Sequence, residues 1–207
     1  RNGSLAEYAA VEARNLAPLP ADVDHTAAAA VVMPGLTAWQ ALFDHAHLQA
    51  GQTVLIHGVG GSVGSIALQL ARETGAHIIS TGRAADRELA STMGTHEFLD
   101  LDSDRLDDAG EVDVVFDVIG GEIRDRSTAL LRPGGTLVTV ADPPTVHPRN
   151  GRAIFFVVEP HREQSAQLAA RLRDGRLTPL VTAIRDLAAA PAAFAERTRG
   201  RIIITVK

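Results

Sequence analysis

The sequence has 207 residues, with 20 basic and 25 acidic side chains and a formal net charge of −5. It contains no cysteine, which excludes a disulfide framework, a thiolate nucleophile and a cysteine-ligated zinc site within these residues. The absence of a basic tract argues against a nucleic-acid partner, and residues 1–20 lack the apolar core of a signal peptide. We therefore expect a cytoplasmic protein with no membrane partner.

The first 50 residues predict a strand, a loop and a long helical region. The strand is expected at residues 5–11, and prolines bound the loop at 16–20. The helical region covers residues 24–46 and is expected to be interrupted at Pro34. Its uncharged part approaches the length of a membrane span, but its polar residues, proline and glycine favour a buried helix.

From residue 53 onward, strand-like and helix-like segments alternate. Apolar runs predict six strands, at residues 53–57, 77–81, 97–100, 112–119, 136–140 and 154–158. Apolar positions at helical spacing predict helices after the first, second and fourth strands and at residues 164–173, and 132–135 is typical of a turn. This alternation predicts right-handed crossovers and an α/β fold with a doubly wound, parallel, six-stranded Rossmann sheet. A further strand is expected at residues 201–206, after a helix near Pro191.

A glycine cluster joins the first of these strands to the following helix. Its glycines fit the spacing G-x-x-G-x-x-G, which permits a tight turn and close approach of the backbone to a pyrophosphate at the helix N-terminus. The predicted cofactor-binding residues of this turn are Gly58, Val59, Gly60, Gly61, Ser62, Val63 and Gly64.

The same letters satisfy a second motif, the G-x-S-x-G nucleophile elbow of α/β-hydrolases. In that interpretation Ser62 is the nucleophile, and Asp142 and His147 follow in the required order. Few strands precede the motif, whereas a hydrolase nucleophile lies deep within a larger sheet. The hydrolase therefore stays the less favoured alternative.

The end of the second strand indicates which dinucleotide binds. An NAD site places a carboxylate there, about 20 residues past the glycine turn. Positions 80–83 are instead Ser80, Thr81, Gly82 and Arg83, and a cation among small polar residues suits a 2′-phosphate. We expect these four residues to contact the cofactor and predict NADPH, with Arg87 one helical turn further on.

Five segments, in order, resemble a known family: residues 5–11, 35–42, 57–64, 131–135 and 200–204. Together they are similar to the zinc-independent medium-chain dehydrogenase/reductases, in the NADPH:quinone oxidoreductase branch that includes zeta-crystallin. The resemblance implies a GroES-like catalytic domain split around the Rossmann domain. Residues 1–25 would end the catalytic domain, 26–175 would form the NADP-binding domain, and 176–207 would return to the catalytic domain. Most of the N-terminal GroES-like part would then lie outside this sequence, leaving only remnants of that β domain at both ends.

The resemblance also implies a reaction, namely hydride transfer from NADPH to a quinone or an α,β-unsaturated carbonyl. Met33 stands where zinc-dependent relatives carry a ligand, so no metal is expected. The catalytic residues cannot be assigned from the sequence. An alternative from another class is a non-catalytic NADPH-binding fragment or crystallin-like module.

Further cofactor contacts are implied by the same resemblance. Thr37 and several strand ends would surround the nicotinamide, whereas Leu101 and Arg201 replace residues usual in the family. The contacts implied beside Thr37 are Ile119, Gly120, Val140, Ala141, Phe155, Phe156 and Val157. The sixth strand would also pair with its copy, which predicts a homodimer.

Overall fold

The computed structural model describes residues 5–196 and 198–206. Its main element is a six-stranded parallel sheet, which confirms the predicted fold class. The strands are β1 (Thr53–Ile56), β2 (His77–Gly82), β3 (Glu97–Asp100), β4 (Val112–Asp117), β5 (Leu131–Thr139) and β6 (Arg152–Phe155). Their order in space is β3-β2-β1-β4-β5-β6. Strands β1 to β3 therefore extend the sheet toward one edge, and β4 to β6 extend it toward the other, with the change between β1 and β4. Ligands of such sheets bind at that point, outside the carboxyl ends of the strands.

Helices cover both faces of the sheet. They are α1 (His25–Trp39), α2 (Ser62–Thr74), α3 (Arg87–Met93), α4 (Gly121–Ser127), α5 (Arg162–Arg173) and the short α6 (Ala190–Ala193). Val54 and Ile56 of β1 face the apolar cluster under α1, α2 and α5, whereas Leu55 faces a second cluster on the other side. The uncharged run of β1 is therefore explained by burial on both faces.

The α1 segment departs from the prediction. The helix continues through Pro34, which is buried, and changes instead to a π-helical turn over Gln40–His45. Packing of α1 against α2 and α5 outweighs the loss of one backbone N–H at the proline. By length and hydropathy the segment His25–His45 meets the criteria for a membrane span, which buried core helices also meet, and 56% of its most apolar window is buried.

Several predicted segments are wrong, and among them the fourth strand ends at Asp117 instead of residue 119. Residues 5–11 form no strand and are exposed, since no described strand lies beside them to pair with. The predicted turn at 132–135 is the irregular beginning of β5, where the register against β4 shifts and Gly134 takes a φ of +85°. The sixth strand ends at Phe155 instead of continuing to residue 158.

The C-terminal residues form a separate two-stranded parallel sheet. Strands β7 (Val181–Asp186) and β8 (Arg201–Thr205) pair there, with α6 between them in the chain. The sequence predicted β8 and the helix near Pro191 but not β7. The division at residues 25 and 175 stays a prediction.

Candidate dinucleotide site

The glycine turn between β1 and α2 is held tightly against the sheet. Gly58 takes a φ of +73°, and its N–H donates to the carbonyl of Thr81 at the end of β2 over 3.1 Å. A Cβ atom at Gly64 would overlap the carbonyl oxygen of Gly58, and one at Gly61 would approach it to 3.3 Å. Gly58, with its positive φ, and Gly64 are therefore required for the chain to turn this closely, and a side chain at Gly61 would be tightly packed.

The first turn of α2 presents free backbone donors. No side chain caps this helix, and within the described residues no carbonyl accepts from the N–H groups of Ser62, Val63 and Gly64. These donors and the helix dipole favour an anion at the helix N-terminus. The arrangement fits a pyrophosphate bound through the backbone, because the side chain of Val59 is buried in the core and Val63 packs against it.

A buried histidine supports the turn from below. His57 is completely buried, with Nδ1 2.9 Å from Thr81 Oγ1 and Nε2 2.8 Å from Ser127 Oγ. Ser127 donates its own proton to the carbonyl of Ile123, so its oxygen accepts from Nε2–H of His57. Burial lowers the pKa of His57 from 6.5 to about 4, against the opposing charge of Asp117. His57 is thus a neutral structural residue with no free nitrogen for acid–base chemistry.

The two hydroxyl residues at the end of β2 face the protein interior. Ser80 donates to Thr95 Oγ1 over 2.9 Å, and Thr81 Oγ1 is engaged by His57. Both side chains are buried, so any contact of these residues with a cofactor uses the backbone. The sequence motif could not reveal this, since it does not show which side of a strand end a hydroxyl faces.

The cations after β2 have different surroundings. Arg83 is exposed and its guanidinium has no ion pair within residues 5–196 and 198–206. Arg87 lies with its guanidinium 4.8 Å from the ring centre of Phe98, donates to the Phe98 carbonyl and pairs with Asp104 at 3.5 Å. Arg83 is therefore the freer of the two to meet a phosphate.

A carboxylate that the sequence analysis missed lies beside Arg83. Asp86 folds back so that its Oδ2 accepts the N–H of Arg83 over 3.0 Å, and its side chain adjoins both Gly60 and Gly82. The expectation that no carboxylate occupies this place is wrong. Asp86 lies four residues beyond β2, and only the short helical turn Ala84–Asp86 brings it back to the strand end.

The ends of β4 and β5 are joined by Asp117. Its buried carboxylate accepts from the N–H groups of Ile119 and Gly120 over 3.0 and 3.1 Å, and from the hydroxyl of Thr139 over 2.7 Å. Gly120 takes a φ of +79°, and Ile119 is 46% exposed. An aspartate at a strand end followed by glycines is the sequence signal for this turn.

The segment after β5 is anchored by a buried arginine. Arg124 of α4 is 2% exposed, contacts Asp142 at 2.7 Å and donates to its carbonyl over 3.0 Å. Its hydrogen bonds to Asp142 and Asp125 raise its pKa above the ordinary range. Because Val140 and Ala141 precede Asp142 directly, Arg124 fixes the two predicted contacts on this segment.

The remaining predicted contacts lie on α1 and after β6. Thr37 is buried and donates its hydroxyl to the carbonyl of Met33 over 2.9 Å. Phe155 and Val157 are exposed, whereas Phe156 is buried against His45. Phe156 therefore belongs to the core, and its neighbours are the ones that a ligand or partner can reach.

The residues of the hydrolase alternative form no triad. Asp142 is paired with Arg124, and His147 is exposed. Within the described residues, no hydrogen bond links Ser62 to either of them. This geometry gives the nucleophile-elbow interpretation no support.

Comparison with known proteins finds similarity to dehydrogenases, polyketide synthase proteins and quinone oxidoreductases. Residues 62–160 match the family described as zinc-binding dehydrogenases. The chain is 35% identical to the spectinabilin polyketide synthase system protein NorB of Streptomyces orinoci over 99% of the chain and 10% of that protein. It is 28% identical to the quinone oxidoreductase of Homo sapiens, over 87% of the chain and 61% of that protein. The chain thus spans less than two thirds of these relatives.

A solved structure agrees with these similarities. An alcohol dehydrogenase superfamily protein from Novosphingobium aromaticivorans superposes with a TM-score of 0.89 at 28% identity, covering 99% of the chain and 71% of that protein. The Rossmann sheet, the glycine turn and these similarities agree with one another. Together they support a quinone oxidoreductase-like chain of the medium-chain dehydrogenase/reductase type.

Proposed function

We propose that this chain forms the cofactor-binding part of an NADPH-dependent reductase that acts on quinones or α,β-unsaturated carbonyl compounds. The observation that carries the proposal is the turn at residues 58–64, with its uncapped helix N-terminus at the carboxyl edge of the sheet. A bound reduced nicotinamide dinucleotide supplies the hydride. The chain's own residues bind the pyrophosphate through backbone N–H groups and fix the strand ends beside it.

The preference for NADPH rests on Arg83. Its exposed guanidinium follows β2 directly, where the ribose of the adenosine lies in folds of this type. A 2′-phosphate placed there would gain charge-assisted hydrogen bonds that NADH lacks.

We propose an unsaturated acyl thioester as the first substrate class to test. The similarity to a polyketide synthase protein extends over 99% of the chain, and such synthases process acyl chains. The similarity to quinone oxidoreductases keeps quinones as the second class.

We also propose that the reaction uses no zinc. Met33, at the position of a family ligand, offers only a thioether, and Nη2 of Arg201 lies 3.6 Å from its sulfur. A guanidinium this close disfavours a divalent cation at the same place. Burial lowers the pKa of Arg201, and within the described residues its buried Nε has no hydrogen-bond partner.

The test is oxidation of NADPH and NADH by this chain supplied with the GroES-like part that the family resemblance implies, with crotonyl-CoA and a panel of quinones as acceptors, with and without EDTA. We expect NADPH-dependent turnover with at least one acceptor and no loss of activity on chelation. Binding of NADPH without turnover of any acceptor would favour the non-catalytic module. Inactivation by EDTA, reversed by zinc, would contradict the zinc-free proposal.

A further inference from the structure

Asp86 lies between two parts of the proposed cofactor site. The residue is 7% exposed, and its Oδ2 accepts the N–H of Arg83 over 3.0 Å. A Cβ atom at Gly60 would overlap Oδ1, and one at Gly82 would come within 3.1 Å of Oδ2. The carboxylate therefore lies directly between the glycine turn and the end of β2.

The second carboxylate oxygen has no hydrogen bond. Oδ1 of Asp86 is buried, and no donor in residues 5–196 and 198–206 is aligned to it. The nearest cation is Arg199, whose Nε lies 3.3 Å away and whose Nη1 donates to the carbonyl of Ala85 over 3.1 Å. Because Oδ1 is buried beside Arg199, this oxygen is not open to a ligand, and the carboxylate acts on the site through its charge and through its ion pair.

Hydroxyl and phosphate would meet this carboxylate differently. The 2′-hydroxyl of an NADH ribose carries no charge, so the Asp86 carboxylate does not repel it. The 2′-phosphate of NADPH is an anion, and it would be repelled by Asp86 while being attracted by Arg83 and Arg199. Two cations and one carboxylate thus act on the same substituent with opposite sign.

We propose that Asp86 and Arg199 together set the cofactor selectivity of this chain. Asp86 holds Arg199 in an ion pair and repels a 2′-phosphate, and both effects limit the preference for NADPH that Arg83 provides. The chain then accepts both cofactors, and the pairing of Arg199 determines their ratio. This inference rests on the proposed function, because it assumes that a dinucleotide occupies the site.

The experiment is calorimetric titration of the purified protein with 2′,5′-ADP and 5′-AMP, which differ only in the 2′-phosphate, and then with NADPH and NADH. Asp86→Asn removes the charge and keeps an oxygen to accept the N–H of Arg83. We expect this variant to bind 2′,5′-ADP and NADPH roughly tenfold more tightly, because one like charge is removed from beside the phosphate. Binding of 5′-AMP and NADH should be unchanged.

The released arginine provides the second arm of the test. In the Asp86→Asn/Arg199→Gln double variant, the ratio of the affinities for 2′,5′-ADP and 5′-AMP should return toward the wild-type value. Asp113→Asn is a matched control at the opposite edge of the sheet. That carboxylate also accepts one backbone N–H, from Thr53, and also pairs with an arginine, Arg132, at 2.7 Å. The Asp113→Asn variant should leave the ratio of the affinities for 2′,5′-ADP and 5′-AMP unchanged.

The outcomes distinguish a wrong role for Asp86 from a wrong proposed function. Equal changes for 2′,5′-ADP and 5′-AMP in the Asp86→Asn variant would mean that Asp86 only supports the fold, and would overturn the inference. A ratio that moves equally in the Asp113→Asn control would overturn it as well. If the folded wild-type protein binds none of the four ligands, the proposed function fails, and the inference fails with it.

Discussion

At the scale of single residues, His57 shows how a buried side chain can make the fold sensitive to pH. The unfolded chain takes up a proton at this residue below about pH 6.5, whereas the folded chain does so only near pH 4. The free energy of unfolding therefore falls by about 3 kcal/mol as the pH drops from 6.5 to 4, because the pKa of His57 is lower in the folded chain. Below that range His57 causes no further loss.

A His57→Gln variant tests this prediction, because glutamine keeps hydrogen-bonding atoms and does not titrate. Urea unfolding of both proteins at several pH values between 7.5 and 4 isolates the contribution of the histidine from that of the carboxylates. We expect the stability difference between wild type and variant to change by about 3 kcal/mol over this range, in favour of the variant at low pH. A difference that is constant with pH would contradict the account of His57.

Arg83 carries the second prediction at this scale. Arg83→Ala should weaken NADPH binding by about 1.5–3 kcal/mol, the range for hydrogen bonds to charged groups, and leave NADH almost unchanged. Arg87→Ala is the comparison, since that guanidinium is already engaged by Phe98 and Asp104. Calorimetric titration with each cofactor measures both. Equal losses of NADPH and NADH affinity on replacing Arg83 would show that it supports the fold instead.

The residue scale also shows what a sequence can and cannot predict about the site. The glycines of the turn were identifiable because their spacing follows from the geometry of the turn. The buried hydroxyls of Ser80 and Thr81 and the carboxylate of Asp86 were not, because side-chain direction at a strand end depends on tertiary contacts. Arg124 was missed for the same reason, since nothing in α4 marks one arginine as buried.

At the scale of secondary-structure elements, the junction of β1 and α2 determines the site. Gly64 is within the first turn of α2, where alanine would ordinarily be favoured over glycine by about 1 kcal/mol. Here a Cβ would overlap the carbonyl of Gly58, so the backbone of the turn must move. We expect Gly64→Ala to lower stability and to weaken NADPH binding by more than tenfold.

Ser62→Ala is the matched control in the same turn. The Ser62 hydroxyl makes no hydrogen bond within the described residues, so its loss should weaken NADPH binding by at most about 1 kcal/mol. Thermal unfolding and NADPH titration of both variants give the comparison. If the Gly64→Ala variant binds NADPH as tightly as the Ser62→Ala variant does, the turn does not need a glycine at position 64. Serine-directed covalent labelling of Ser62 would revive the hydrolase alternative.

Elements were predictable where one force dominates. The buried runs of β1, β2 and β4 and the glycine-ended helices α2 and α3 follow from burial and from left-handed glycines at positions 75 and 94. Pro34 was misleading because the packing of α1 outweighs the local cost of a proline. Strand β7 was missed because its side chains are largely exposed and show no apolar alternation.

At the scale of the whole molecule, the edge of the main sheet is the place for self-association. Strand β6 is the last in the order, Phe155 is 38% exposed and Val157 just beyond it is 73% exposed. We propose that this edge pairs with its two-fold copy to form a homodimer, since an apolar unpaired edge favours pairing with another chain. The proposal agrees with the arrangement that the family resemblance implies.

Val157→Lys tests the dimer by placing like charges close to the two-fold axis. Light scattering should show a dimer for the wild type and a monomer for the variant. Val11→Lys, at another exposed valine, is the control and should leave the mass unchanged. An unchanged dimer in the Val157→Lys variant would show that β6 is not the interface.

At this scale, a dinucleotide is proposed to bind along the carboxyl edge of the main sheet. The most direct measurement is equilibrium titration of NADPH into the purified protein, monitored by calorimetry and by the fluorescence of Trp39 on α1. The account predicts saturable binding with one NADPH per chain, abolished or strongly weakened by Gly64→Ala. A protein that is folded by circular dichroism and still binds no NADPH or NADH at millimolar concentration would contradict it.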